Sequence, residues 1–214
     1  GKMLGNHKAV FHTDACQAGL LDLQVNKLNV DLMTLNAGKL YGPKGAGILY
    51  KRSTIRLQPL VHGGGQEFGL RSGTENVAGI IGCAAALERI QKNRQKEWQR
   101  LQSLRSLFTK GINEINNARI NSNPSSSLPH VISLTIKGVD ADALLIALNE
   151  RHVYAAAGSA CVSKKNEISH VLKAMGLSEK EASSTIRLSW GEQTTEQDIH
   201  FLISQIKEAI KELK

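Results

Sequence analysis

Apolar and polar positions follow distinct rhythms along this chain, and each rhythm predicts a different element. Short apolar runs come first, at residues 9–11, 30–35 and 47–50, bounded by polar and glycine-rich connections. Runs that short, without strict alternation, predict strands of a sheet buried on both faces. From Glu75 to about Ile115 the rhythm changes. Ile80, Ala84 and Leu87, then Leu101, Leu104, Phe108, Ile112 and Ile115, recur at three- and four-residue steps, which predicts helix. The polar run 91–99 between them reads as the solvated side of one long helix linking two domains. Residues 121–127 are rich in Asn, Ser and Pro and form a loop.

Beyond that loop the rhythm shortens again. Ile132, Leu134 and Ile136 alternate with polar residues over 130–136, which predicts a half-buried strand. Asp140 is placed to cap a helix running through Leu148. Residues 153–157 read as another strand. Residues 185–190 alternate, with Ile186, Leu188 and Trp190 opposite Arg187. Thr195 and Asp198 have capping-box spacing, ahead of a helix with Ile199, Leu202, Ile206, Ile210 and Leu213 on one face. The expected fold class is therefore α/β over residues 1–115. A small α+β domain over 116–214 follows, with helices on one side of a mostly antiparallel sheet.

Composition narrows the function classes. The 214 residues are 41% hydrophobic and 21% charged, an ordinary soluble globular balance. No apolar run approaches the roughly 20 residues of a membrane span, so no membrane partner is expected. The net charge is +8, but the positives are scattered and aromatics make up only 4%. Stacking platforms for nucleic acid are not evident, so the charge reads as solubility plus attraction to an acidic partner. The cysteines, Cys16, Cys83 and Cys161, are too widely spaced for a disulfide framework or a zinc site. No metal is expected, and a reducing cytoplasm is the simplest location.

Candidate chemistry lies at the strand ends. Lys39 follows the 30–35 run and precedes a Gly42-Pro43 turn. By itself it reads as a solvated lysine in a turn. Desolvated at the strand end, its pKa would fall and it could form a Schiff base. Asp14 follows the 9–11 run. Such a carboxylate is most often a helix N-cap, but it can also hold a protonated pyridine nitrogen. The stretch 62–74, with Gly63, Gly64, Gly65, Gly69 and Gly73, is a loop whose backbone can approach a ligand. It matches neither a P-loop nor a dinucleotide fingerprint. Cys161 lies between small residues and Lys164–Lys165, a setting that favours the thiolate and points to a nucleophile. Cys16 and Cys83 read as packing residues. Arg187 is either a surface charge, a salt-bridge partner, or a fork for a substrate carboxylate.

Taken together, Asp14-Ala-Cys-Gln17, Lys39-Leu-Tyr-Gly-Pro-Lys-Gly45, His62-Gly-Gly-Gly65, Arg71-Ser-Gly-Thr74, Gly158-Ser-Ala-Cys161 and Ser184-Thr-Ile-Arg187 occur in an order and spacing that resembles the cysteine desulfurases. These are the NifS/IscS-like branch of the class V aminotransferase superfamily, fold-type I enzymes of pyridoxal 5'-phosphate (PLP). The resemblance covers essentially the whole chain, which corresponds to the back half of the PLP-binding large domain plus the small C-terminal domain. The family carries a further N-terminal half, so these residues alone are expected to be a poor catalyst.

The resemblance implies a set of roles. Lys39 carries PLP as a Schiff base and moves protons. Asp14 holds the pyridine nitrogen, and Gln17 bonds the ring oxygen. Asn36 helps hold the phosphate, and Thr74 reaches the phosphate of the partner subunit in a homodimer. Arg187 holds the carboxylate of L-cysteine, and Cys161 takes the sulfur as a persulfide. A sulfur-acceptor or scaffold protein, serving iron–sulfur cluster assembly or tRNA thiolation, is the implied partner. One departure is visible: the family's usual histidine before the lysine, and the serine two residues ahead of it, are here replaced around Gly38, Ala37 and Asn36. Competing readings are a selenocysteine lyase or aminotransferase of the same fold, or a silent binding subunit.

Overall fold

The computed structural model describes residues 1–5, 7–157 and 169–213. The chain divides into two compact units, Gly1–Glu97 and Trp98–Lys214. In the first, the strand Leu32–Asn36 (β2) turns Met33 and Leu35 into the core and Leu32, Thr34 and Asn36 the other way. It is the middle of a three-stranded sheet, between His12–Asp14 (β1) and Gly47–Lys51 (β3). β1 runs parallel to β2, and β3 runs antiparallel to it.

The inward side chains pack with Ala15, Val30, Leu40 and Ala86, and Ile48, Tyr50 and Ile90 close over them. Ala86 and Ile90 belong to the helix Val77–Ile112 (α2), which continues into the second unit. Asn76 opens this helix, its Oδ1 accepting the Gly79 N–H at 3.1 Å. A four-residue helix, Val25–Leu28 (α1), precedes β2.

Two expectations need correction here. The sheet is packed on one face rather than both. Its other face carries His12, Asp14, Thr34, Asn36 and Leu49, which are exposed or half-buried in this chain. The first strand also begins at His12, not at residue 9. The Phe11 N–H donates to the Asp31 carboxylate at 2.9 Å instead of to a neighbouring strand. That carboxylate also pairs with Arg52 at 3.0 Å, which holds it in place.

In the second unit, Ala118–Ile120 (β4), Val131–Ile136 (β5), Ala156–Ala157 (β6) and Thr185–Ser189 (β7) form a sheet in the order β4-β5-β7-β6. Every pairing in it is antiparallel. Ile132, Leu134 and Ile136 of β5 are sealed with Ile186 and Leu188 of β7, as their alternation requires. Two helices, Ala141–Glu150 (α3) and Glu196–Glu212 (α6), bury Leu144, Leu148, Ile199, Ile206 and Ile210 in the same core. The later turns of α2 add Leu101, Leu104, Phe108 and Ile112, with the Phe108 ring 5.5 Å from that of Trp190. Short helices His170–Ala174 (α4) and Glu179–Ala182 (α5) lie before β7.

Local rules account for the helix ends. Asp140 caps α3 by accepting the Ala143 N–H, and Thr195 and Asp198 form the complete capping box of α6. The inward stripe of α6 runs through Ile203, while Leu213 lies at its exposed end, so two expected positions shift. The strand expected at 153–157 shortens to two residues. Its first part folds back instead, the Val153 N–H closing α3 on the Leu148 carbonyl at 2.9 Å.

Candidate functional site

Parallel pairing of β1 and β2 sends their carboxyl ends to the same edge of the sheet. Asp14, the last residue of β1, stands opposite Thr34, and Asn36 ends β2 two residues further on. Ligands of such sheets collect beyond the carboxyl ends of parallel strands. Lys39 follows at once, closing a 3-10 turn over Ala37–Lys39.

That turn is firmly built. Asn36 Oδ1 accepts the Gly38 N–H at 2.9 Å, and the Ala37 carbonyl accepts from Leu40 and Gly42 at 2.9 and 2.8 Å. Gly42 sits in a tight place: a Cβ there would lie 3.1 Å from both the Ala37 oxygen and the Ala86 Cβ of α2. Lys39 itself is exposed, and its amine makes no hydrogen bond or ion pair among the described residues. The desolvated lysine considered from sequence is not what this chain provides.

Asp14 is not a helix N-cap. Its Oδ1 accepts the Cys16 N–H at 3.0 Å in an Asx-type turn. Hydrogen bonds from the Cys16 thiol and amide, with a smaller effect of His12, hold its carboxyl below the usual range, so the group is charged. The reverse holds for Cys16. Burial, then the Asp14 hydrogen bond and charge, push its thiol up to about 11, against the pull of the Lys39 charge. Cys16 is thus no thiolate at neutral pH, and Cys83 is buried, as expected of packing residues. Gln17 is exposed on the turn after Asp14.

His12 was missed by the sequence reading. Its Nε2 lies 2.8 Å from Thr34 Oγ1, on the same sheet face as Asp14. The two-residue period of a strand was the available signal. Thr74 is exposed at the end of the glycine-rich loop, and no hydrogen bond or ion pair joins it to Asp14 or Lys39. Gly73 before it has a φ of +111°, a conformation that side chains oppose, and its N–H is clipped to Gln66 Oε1 at 3.1 Å.

Arg187 lies in the second unit. It sits on β7 between Ser133 of β5 and Ala156 of β6, on the face opposite the core. With Ser133, Ser169, Thr185, Val171 and Met175 it lines a cavity of about 320 Å³. Arg187 is half-buried and has no acidic partner among the described residues. Glu181, on the short helix before β7, is paired with Arg119 and Lys137. Cys161, with Lys164 and Lys165, lies outside the described residues.

Among the described residues no cluster of His, Cys, Asp or Glu is arranged to hold a metal, and no helix is long and apolar enough to cross a membrane.

Comparison with known proteins places the chain in a family. Residues 1–202 match the family described as aminotransferase class-V, and the chain belongs to that family. It is 38% identical over 216 aligned positions to the cysteine desulfurase IscS of Clostridium botulinum, covering 99% of this chain and 54% of that protein. A solved NifS-like protein superposes with a TM-score of 0.88 at 33% identity, over 97% of this chain and 54% of its own. The NifS-like protein of Rickettsia africae gives 0.89 at 31%, over 98% and 56%. The expected α/β class agrees with these neighbours. The chain spans about half the length of the curated relatives it matches.

Proposed function

We propose that this chain is part of a PLP-dependent cysteine desulfurase, which takes sulfur from L-cysteine, releases L-alanine and holds the sulfur on Cys161. The observation that carries the reading is the meeting of Asp14 and Lys39 at the common carboxyl edge of two adjacent parallel strands. An ionised carboxylate, and an amine with no partner among the described residues, at one edge fit the cofactor's ring nitrogen and its point of covalent attachment. Asn36 adds a donor: its Oδ1 is spent on the turn, which leaves Nδ2 for the phosphate.

When bound, PLP supplies an electron sink for bond breaking at the substrate. The chain's own residues do the rest. Lys39 anchors the cofactor and, once released, moves protons as general acid and base. Asp14, kept ionised by the Cys16 thiol and amide, holds a proton on the ring nitrogen. Gln17 donates to the ring oxygen. Arg187 forks the substrate carboxylate, having no acidic partner among the described residues to compete for it. The Cys161 thiolate attacks the substrate sulfur. A sulfur–sulfur bond forms as the carbon–sulfur bond breaks, the electron pair stays with carbon, and a proton completes the methyl group of alanine.

The active unit is a homodimer in which Thr74 serves the phosphate of the partner's site. Supporting this, Leu60 and Phe68 of the adjoining loop are 97% and 100% exposed, apolar surface that a second copy would cover. A cytoplasmic acceptor or scaffold protein then receives the sulfur, for cluster assembly or tRNA thiolation.

The test uses the full-length protein with PLP and L-cysteine. Mass spectrometry is expected to find one added sulfur atom on the Cys161 peptide, and Cys161→Ser to abolish sulfide release with cofactor still bound. Normal turnover by Cys161→Ser would overturn the reading.

A further inference from the structure

The polar face of the second sheet holds a hydrogen-bond chain whose direction can be worked out proton by proton. Arg119 Nε is only a donor, and it lies 3.1 Å from Asn121 Oδ1. This fixes the Asn121 amide, so its Nδ2 must donate to both Ser133 Oγ at 3.0 Å and Thr135 Oγ1 at 2.8 Å. At the far end, Thr185 gives its proton to the Glu181 carbonyl at 2.6 Å. In the 2.7 Å contact between Thr135 and Thr185, Thr135 is therefore the donor.

One hydroxyl in this chain keeps its proton unspent. Ser133 accepts from Asn121, and no described residue accepts from Ser133. Its backbone is held as well, the Ser133 N–H donating to Ser122 Oγ at 2.9 Å. Ser133 is also the residue directly opposite Arg187 across the β5–β7 ladder. Both line the 320 Å³ cavity, which Val171, Leu172 and Met175 wall on an apolar side. Opposite residues on one sheet face lie about 5 Å apart. That is close enough for both to reach the two oxygens of one carboxylate.

We propose that Ser133 is a second ligand for the carboxylate of the amino-acid substrate, donating its hydroxyl proton to the group that Arg187 forks. The proposal rests on the reading of Arg187 as the carboxylate binder. Asn121 and Thr135 act as positioning residues: by filling the acceptor side of the Ser133 oxygen, Asn121 directs its proton into the cavity. A hydrogen bond to a charged group is worth roughly a tenfold change in affinity or more.

The experiment is calorimetric titration of the full-length holoprotein with L-alanine and with ethylamine, which is the same molecule without the carboxylate. Ser133→Ala is expected to weaken L-alanine binding about tenfold and to leave ethylamine within about twofold. Ser133→Thr, which keeps the hydroxyl, should restore L-alanine binding. A loss felt equally by both ligands, or none for L-alanine, would overturn the proposal, since a role in packing alone does not distinguish them. Arg187→Ala in the same titration separates the two layers. If it abolishes L-alanine binding while Ser133→Ala does nothing, only the Ser133 role fails. If neither variant changes it, the amino-acid site in this cavity fails too.

Discussion

Asp14 and Cys16 shift each other's ionisation in opposite directions. The carboxylate accepts the Cys16 N–H at 3.0 Å and is held in its charged form, while burial and then the same carboxylate push the thiol up to about 11. The contact thus secures an anion at the sheet edge and adds to the burial that keeps the neighbouring thiol protonated.

The consequence is measurable as thiol reactivity. At pH 8 roughly one Cys16 in a thousand is a thiolate. Limited alkylation followed by peptide mapping is expected to leave Cys16 and Cys83 unmodified. Asp14→Asn should speed Cys16 alkylation several-fold by removing the negative charge, without reaching the rate of a free thiol, because burial remains. Wild-type Cys16 reacting as fast as glutathione would show that the contact is not maintained in solution.

Lys39 is expected to be the lysine that takes the cofactor. Borohydride reduction of the full-length holoprotein should leave a pyridoxyl label on the peptide containing Lys39. Lys51 is engaged by the Arg52 and Ile55 carbonyls at 3.3 and 2.8 Å, so it is poorly placed to compete. A label on Lys44 or Lys51 in place of Lys39 would refute the assignment.

Two capping boxes give the second unit a defined acid sensitivity. Backbone and side-chain hydrogen bonds from Ser178 lower the Glu181 carboxyl, and those from Thr195 lower that of Asp198. Both native values lie below the unfolded ones, so their contribution is fully present above the unfolded values. It is lost as pH falls below the ordinary carboxylate range and through the native values. Thr195→Ala removes the hydroxyl half of one box and should cost about 1 kcal/mol at neutral pH. Thermal melts at pH 7 and pH 3 would check this. The expectation is a lower midpoint for the variant at pH 7 and a narrowed difference at pH 3. An unchanged midpoint at pH 7 would show that the box contributes nothing.

Features set by near neighbours could be read in the sequence. The Thr195–Asp198 box, the Asp140 cap and the alternation of Ile132, Leu134 and Ile136 each depend on a few adjacent residues, and each is found. Features set at a distance could not be read. The first strand was misplaced because Asp31, twenty residues away, takes the Phe11 N–H. The exposure of Lys39 depends on what covers a sheet face, and a short apolar run carries no record of that. Ser133, Asn121 and Thr185 become one chain only through the antiparallel register of β4, β5 and β7, so nothing in their spacing announces it. The candidate edge itself was legible through Asp14 and Lys39, but the partnership of His12 with Thr34 waited on knowing which strands pair.

The two-residue strand β6 acts as a mooring post. Ala156 is fixed opposite Arg187, and Cys161 follows five residues later. Whatever path residues 158–168 take, five residues span at most about 18 Å. At the other end Ser169 lines the same cavity as Arg187. On the proposed reading, a thiol tethered at that distance would meet a substrate held at Arg187 as an intramolecular neighbour, at an effective concentration in the millimolar range rather than that of a free protein. The same tether would limit delivery on that reading: an acceptor would have to bring its sulfur-receiving atom to within that radius of β6, so the length of chain between Ala156 and Cys161 would set how deeply a partner must dock.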